Sequence, residues 1–409
     1  MVKYIYLHFV WLGKKLPVYE KSICGYSTVP EGDSEPVHSF DNIYYNTKFI
    51  NELCKKGEHK LYVLIWTDDN NQNHIEKIIQ DSNLSEKVTF LIKNIDEFLS
   101  KIDHNIADLV RSNLDNTLTG KINYGIVSDI LRIIICFRYM TKKCRVDYDK
   151  NKCNQLNIYI DTDDNFGKYL LNYFPDDDNK SKTVNTNANN DDSMRHQKYF
   201  ERLIEYPPTG FAFNGSTDKK STVVFAKSSE MSLATSIISV NPGHKYSEMF
   251  LKEYLKDLKE SSKYYREIMI HLNNPSAKHM SSKSNSKPNS EDHKNKDKTL
   301  YITMIDTMHA CINDPSNEEK VKAFQEAQKQ LFNGEGNIFG DLIEGKRERK
   351  EYIHRFIVFF TVLLTGPRKI QDIIGRIENK SDEDILSLMT MNICKYNTHT
   401  NSIGSFLSD

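Results

Sequence analysis

Short apolar runs alternate with longer segments of helical periodicity over the first 160 residues of the chain. Strands are predicted where β-branched and aromatic residues cluster, at residues 2–12, 60–66, 88–92 and 157–160. Helices are predicted where apolar positions recur every three or four residues, at 42–55, 74–79 and 122–140. This alternation is typical of parallel strands with helices on the faces of their sheet. The pattern therefore predicts an α/β fold, Rossmann-like, with a mostly parallel central sheet.

The pattern changes after residue 175. Residues 176–193 and 276–298 are rich in Asn, Asp, Lys and Ser and almost free of apolar side chains. Such segments cannot bury enough surface to offset the entropy of ordering, so we expect two flexible insertions in a single domain. The other elements predicted are strands at 221–226 and 236–240, a helix at 246–258, and a mainly helical region over 299–400.

Length and composition narrow the class of protein. A chain of 409 residues with 27% charged residues and a net charge of −1 is long enough for one elaborated α/β domain, and its charge does not imply nucleic-acid binding. Seven cysteines without a CxxC pair indicate reduced thiols. The longest apolar run, 356–364, is far shorter than the roughly 20 residues of a membrane span. We therefore predict a soluble protein without a signal peptide or a transmembrane segment.

Acidic residues directly follow the predicted strand at 157–160. Asp161 and Asp163 lie two positions apart, so at a strand end their carboxylates can converge on one ion. Oxygen ligands of this kind suit Mg²⁺ or Mn²⁺. The alternative is a solvated acidic turn, because acidic pairs are common in loops. The preceding strand and the extra charge of Asp164 favour the metal site.

Asp129 and Arg132 lie three residues apart in the predicted helix 122–140, so they share one face. A surface ion pair at this spacing contributes little to stability. However, the neighbouring positions are apolar almost all round the helix, which predicts a buried pair. A buried arginine of this kind can bind phosphate or sugar oxygens, and a buried aspartate can accept hydrogen bonds from hydroxyl groups.

Trp11 ends the first predicted strand, and Gly13 follows it closely. An indole at a strand end either stacks on a nucleotide base or packs in the core, and this residue alone does not decide between the two. The glycine permits a close approach of the backbone to a ligand.

These residues belong to motifs that resemble a known family. Residues 8–13 (His-Phe-Val-Trp-Leu-Gly), 128–132 (Ser-Asp-Ile-Leu-Arg) and 159–163 (Tyr-Ile-Asp-Thr-Asp) resemble the glucosyltransferase domain of the large clostridial glucosylating toxins. Related bacterial effector glycosyltransferases, and DXD transferases similar to the yeast initiating α-1,6-mannosyltransferase, share the pattern. Further matches follow in family order at residues 237–244, 365–367, 399 and 404–406.

The resemblance implies a GT-A fold, a UDP-sugar donor (UDP-glucose or UDP-N-acetylglucosamine), a divalent cation (Mn²⁺ or Mg²⁺) and retention of anomeric configuration. By matching positions, Trp11 stacks on the uracil and Val10 contacts it through its backbone. Asp129 and Arg132 hold the sugar, with Arg132 also near the diphosphate, and Tyr159 supports the ribose and phosphate end.

The resemblance also assigns the metal and the C-terminal segment. It implies that Asp163 ligates the metal directly, while Asp161 binds ribose or sugar and meets the metal through water. His399 completes the metal shell, and Ser405 reaches the β-phosphate from a mobile lid. Phe406 stands where the family usually has tryptophan, so an indole N–H donor to the leaving group is missing.

Two further departures are visible. A polar insert at 142–155 replaces the usual Gly-Gly pair before the tyrosine, and the toxins' N-terminal membrane-binding helices have no counterpart. We expect a retaining, metal-dependent transferase that moves a hexose onto a protein hydroxyl. The family context predicts a bacterial effector that reaches the host cytosol by non-classical secretion. The alternatives are transfer to a glycan or lipid, and a pseudoenzyme that binds a nucleotide sugar without turnover.

Overall fold

A computed structural model describes about half of the chain. The described residues are 4–30, 38–56, 59–84, 88–114, 124–141, 154–171, 223–229, 232–273, 317–331 and 366–379, with single residues at 197, 200, 201, 204, 303, 307, 310 and 381. The two segments predicted as flexible insertions, 176–193 and 276–298, lie outside the described residues.

Within the described residues, six strands form one mixed sheet in the order β3-β2-β1-β4-β6-β5. The strands are β1 (Tyr4–Trp11), β2 (Lys60–Thr67), β3 (Thr89–Asn94), β4 (Gln155–Ile160), β5 (Val223–Ser229) and β6 (Ser232–Val240). β1 runs parallel to β2 and β4, and β2 runs parallel to β3. β6 runs antiparallel to both β4 and β5. The prediction of an α/β fold with a mostly parallel sheet is therefore confirmed, and the antiparallel pairs lie at one edge.

Helices cover both faces of this sheet. They are α1 (Lys21–Cys24), α2 (Phe40–Lys56), α3 (Asp69–Asp81), α4 (Ile95–Leu99), α5 (His104–Leu114), α6 (Tyr124–Arg138), α7 (Phe166–Leu170), α8 (Lys245–Asn273), α9 (Glu318–Leu331) and α10 (Pro367–Glu378). None of the helices in the described part of the chain is long and apolar enough to cross a membrane.

Alternate residues of β1 point into two separate hydrophobic cores. Ile5, Leu7 and Phe9 pack with the apolar residues of α2 and α3 on one face of the sheet. Tyr6 and Val10 pack with α5 and α6 on the other face. The connections from β1 to β2 and from β2 to β3 therefore use one face, whereas the connection from β3 to β4 uses the opposite face.

This change of face occurs beside the central pair of strands. β1 and β4 are parallel neighbours, paired from Tyr4 with Gln155 to His8 with Tyr159, so their carboxyl ends meet at the same edge. A crevice opens at such a switch point because the two connections leave in opposite directions, and ligands of open α/β sheets bind there. Trp11 and Asp161 lie at this edge.

Most predicted elements are present with shifted ends, and the start of α3 is one of the boundaries that the pattern predicted wrongly. The helix predicted at 74–79 starts earlier than expected, because α3 already begins at Asp69. Asp68 caps this helix, because its side chain accepts a hydrogen bond from the Asn71 backbone N–H at 3.0 Å. The polar residues after β2, from Asp68 onward, thus begin a helix rather than form a loop.

β6 and α8 are also longer than the pattern indicated, and α4 and α5 were not predicted. β6 starts at Ser232 instead of 236, and α8 continues to Asn273 instead of ending at 258. The region predicted to be mainly helical, 299–400, contains α9 and α10 among the residues that the structure describes. Gly366 precedes Pro367 as the N-cap of α10, so this motif begins a helix; the residues before it lie outside the described part.

Candidate functional site

Arg132 lies at the centre of a buried ion-pair network. Its Nη2 is 2.5 Å from Asp129 Oδ1 on the same helix, and its Nη1 is 2.9 Å from Asp161 Oδ2 at the end of β4. The arginine side chain is 7% exposed, and those of the two aspartates are 9% and 17% exposed. The predicted helix pair is therefore buried as expected, and it connects α6 with the carboxyl end of β4.

The alternation of β4 explains why Asp161 reaches Arg132. Leu156, Ile158 and Ile160 face the core formed with α2, whereas Tyr159 faces α6. Asp161 continues the Tyr159 face and so leaves the strand on the side of α6. Asn157, on the same face, donates from Nδ2 to the Cys136 carbonyl at 2.7 Å and anchors the C-terminal turn of α6.

Burial and neighbouring charges shift the pKa values of both Asp129 and Arg132. Burial raises the pKa of Asp129 to about 6; Arg132 opposes this increase and Asp161 adds to it. Burial alone would lower the pKa of Arg132, but the carboxylates of Asp129 and Asp161 outweigh it, so the pKa is raised. The guanidinium remains charged, and Asp163 is a third carboxylate close enough to act on it.

Tyr159 supports the same cluster from below. Its hydroxyl group donates to Asp161 Oδ1 at 3.2 Å and lies 3.4 Å from Ser128 Oγ. The guanidinium carbon of Arg132 is 5.2 Å from the centre of the Tyr159 ring, within the range of a cation–π contact. Burial raises the pKa of this phenol well above its ordinary value, so it remains a donor.

A helix on the opposite face holds the turn that carries the acidic residues. Asn42 Nδ2 donates to the Thr162 carbonyl at 2.7 Å, and Asn46 Nδ2 donates to the Asp164 carbonyl at 2.5 Å. Within the turn, the Asp164 backbone N–H donates to the Asp161 carbonyl at 3.2 Å. These bonds between side chains of α2 and backbone carbonyls fix the turn, so its side chains project from a rigid base.

The carboxylate of Asp163 is buried in this turn and has a perturbed pKa. It is 8% exposed, and burial raises its pKa to about 6, with a further increase from Asp161 and opposing contributions from His38 and Arg132. A buried carboxylate that is repelled by a partly buried neighbour favours an added cation, and the oxygen donors of Asp163 and Asp161 fit Mn²⁺ or Mg²⁺. Among the described residues, no group of three or more His, Cys, Asp or Glu side chains forms a metal site. His399, the third predicted ligand, lies outside them.

The end of β1 forms the other wall of the crevice. Gly13 has a φ of 92°, a conformation that favours glycine, and a Cβ at this position would lie 2.5 Å from the Tyr124 ring. Its backbone N–H donates to Asp68 Oδ2 at 2.9 Å, and Asn71 Nδ2 donates to its carbonyl at 2.7 Å. The glycine is therefore required by both conformation and packing.

Trp11 was interpreted either as a platform for a nucleotide base or as a core residue, and its position is intermediate between the two. It packs partly against the core, while its Nε1 donates to the Lys14 carbonyl at 2.7 Å and the side chain is partly exposed. Val10 is buried in the core beneath α6. Trp11 therefore leaves part of its ring available at the crevice.

The structure brings together most of the predicted residues that it describes. Asp129, Arg132, Tyr159 and Asp161 form one connected network, and Asp163 is within its electrostatic range. The remaining predicted residues, His399, Ser405 and Phe406, lie outside the described part.

Sequence reasoning missed His38, Asn42 and Asn46. The two asparagines lie four positions apart among the buried residues of α2, so they share one face of the helix, and that spacing is a signal that the sequence offered. His38 gave no such signal, because it lies before the helix predicted at 42–55 and belongs to no predicted element. Neither a scan against protein-family models nor a search of the curated proteins found a match for this chain.

Proposed function

We propose that this protein is a GT-A type glycosyltransferase that moves a hexose from a UDP-sugar to a hydroxyl group of a protein. The observation that supports this most is the buried network of Asp129, Arg132 and Asp161 at the switch point between β1 and β4. A soluble α/β protein has little structural reason to bury an arginine with two carboxylates, because desolvation offsets most of their attraction.

The residues of the network suit a sugar diphosphate. Arg132 presents a planar fork of donors, which matches the oxygens of a phosphate or of adjacent sugar hydroxyls. Asp129 accepts hydrogen bonds from hydroxyl groups, and its burial makes each such bond selective for a donor. Trp11 offers an aromatic surface at the other side of the crevice for a flat base.

Asp161 and Asp163 would hold the divalent cation that the resemblance implies, with His399 as the expected third ligand. The bound cation would offset the negative charge that develops on the leaving diphosphate. Asp161 also remains paired with Arg132, so this carboxylate links the sugar side of the site to the cation side. Arg132 adds a fixed positive charge on the same leaving group.

The proposed reaction is a front-face transfer with retention. The acceptor hydroxyl attacks the anomeric carbon as the bond from that carbon to the diphosphate breaks, and its proton passes to the leaving diphosphate. No protein base is needed for this balance. Ser405 retains its proposed role at the β-phosphate, and a bacterial effector acting on a host protein remains the proposed context.

The test is hydrolysis of a panel of UDP- and GDP-sugars with Mn²⁺, together with calorimetric binding of each donor. The wild-type protein is compared with Asp163→Asn and with Asp96→Asn, an exposed residue of α4 that controls for the loss of one carboxylate. We expect turnover of one UDP-sugar, an unchanged rate in Asp96→Asn and a loss of more than about 100-fold in Asp163→Asn. Binding without turnover would indicate the pseudoenzyme, and an absence of both would refute the proposal.

A further inference from the structure

His38 connects the two walls of the crevice. Its Nδ1 is 3.0 Å from Thr162 Oγ1, in the middle of the acidic turn. The centre of its ring is 6.0 Å from the Trp11 ring, at an interplanar angle of 51°. Its charge also acts on Asp163, whose pKa it lowers against the effect of burial. The imidazole therefore contacts the end of β1 and the end of β4 at once.

The bond from His38 differs from the other bonds that hold the turn. Asn42 and Asn46 bind backbone carbonyls, so they fix the path of the chain. His38 binds the side chain of Thr162, which is 2% exposed and lies between Asp161 and Asp163 in sequence. A bond to this side chain restricts the rotation of the residue that separates the two carboxylates.

We propose that His38 is a positioning residue for the donor, with a separate role on each wall. Through Thr162 it holds the acidic turn in the arrangement that binds a divalent cation, as outer hydrogen-bond partners do in metal sites. Through its ring it supports Trp11 in the orientation that receives a base. This inference rests on the proposed function and adds a residue to which neither the motifs nor the resemblance assigns a role.

Two substitutions separate these roles. His38→Phe keeps an aromatic ring beside Trp11 but removes the hydrogen bond to Thr162. His38→Asn keeps a hydrogen-bonding group but removes the ring. His74→Phe is the matched control, because it also removes one ring hydrogen bond, from His74 Nε2 to the Leu16 carbonyl at 2.8 Å, on a helix that contributes no predicted site residue.

The measurements are Mn²⁺ binding by electron paramagnetic resonance and metal-free UDP binding by tryptophan fluorescence. Trp11 and Trp66 are the two tryptophans of the chain, and Trp66 is buried, so a change on UDP addition reports mainly on Trp11. We expect His38→Phe to weaken Mn²⁺ binding about 10-fold or more with UDP binding retained. We expect the reverse for His38→Asn, and wild-type values for His74→Phe.

A double substitution tests the path through Thr162. Thr162→Val removes the same hydrogen bond from its other end, so adding His38→Phe to it should cause no further loss of Mn²⁺ affinity. Additive losses, or wild-type binding of both ligands by both His38 variants with an unchanged thermal midpoint, would overturn the inference alone. A wild-type protein that binds neither Mn²⁺ nor UDP would overturn the proposed function and this inference with it.

Discussion

A buried histidine should make the stability of this protein unusually sensitive to mild acid. His8 lies on β1 with no exposed surface, and its Nδ1 accepts a hydrogen bond from Trp66 Nε1 at 3.2 Å. Burial lowers its pKa from the ordinary value of 6.5 to about 3. In the unfolded chain the same imidazole is solvated and returns to its ordinary pKa.

The sign of the effect follows from this difference. Below the unfolded pKa of 6.5, the unfolded chain binds a proton at His8 that the folded protein does not bind. The contribution of neutral His8 to the free energy of unfolding is therefore fully present above pH 6.5. It is lost as the pH decreases toward the folded pKa of about 3. At about pH 5, the solution is roughly 1.5 pH units below the unfolded pKa of His8. Protonation of His8 in the unfolded chain therefore lowers the free energy of unfolding by about 2 kcal/mol.

Urea unfolding at about pH 7.5 and about pH 5 measures this loss. His8→Gln keeps an acceptor for Trp66 but cannot titrate, so its stability should fall by about 2 kcal/mol less than that of the wild type over the same interval. Asp129 and Asp163, whose pKa values are raised to about 6, titrate in both proteins and cancel in the comparison. His104→Gln, at the exposed start of α5, should behave as the wild type. Equal losses in the wild type and His8→Gln would refute the reasoning.

Three further substitutions test the packing around the crevice by urea unfolding. Gly167→Ala should destabilise the protein by about 1–3 kcal/mol, because the new Cβ would lie 2.3 Å from the Tyr45 carbonyl oxygen; an unchanged midpoint would contradict this close packing. Asn46→Ala should cost about 2 kcal/mol, since its side chain bonds both the Asp164 carbonyl and the Gly167 backbone N–H, and it should also weaken Mn²⁺ binding. Tyr254→Phe should leave stability unchanged or raise it by up to about 1 kcal/mol, because its buried hydroxyl has no hydrogen-bond partner among the described residues; a clear loss would reveal a bond at that hydroxyl.

Local patterns were enough to predict most strands and the buried pair on α6. Apolar runs locate β1, β2 and β4 to within a few residues, because side-chain alternation is a property of each strand alone. Helical spacing likewise places Asp129 and Arg132 on one face, and the apolar residues around them predict burial. Information of this kind depends only on neighbours in sequence.

Only the tertiary structure determined which residues from different strands and helices meet in the site. The ion pair between Arg132 and Asp161 requires α6 to pack on the face of the sheet to which Tyr159 points. The helix reaches this face because the connection from β3 to β4 uses the side opposite to that of the earlier connections. The contacts of His38 with Trp11 and Thr162 likewise join residues that are distant in the chain. Strand order and helix placement result from the burial of whole faces, so no local pattern specifies which side chains then meet.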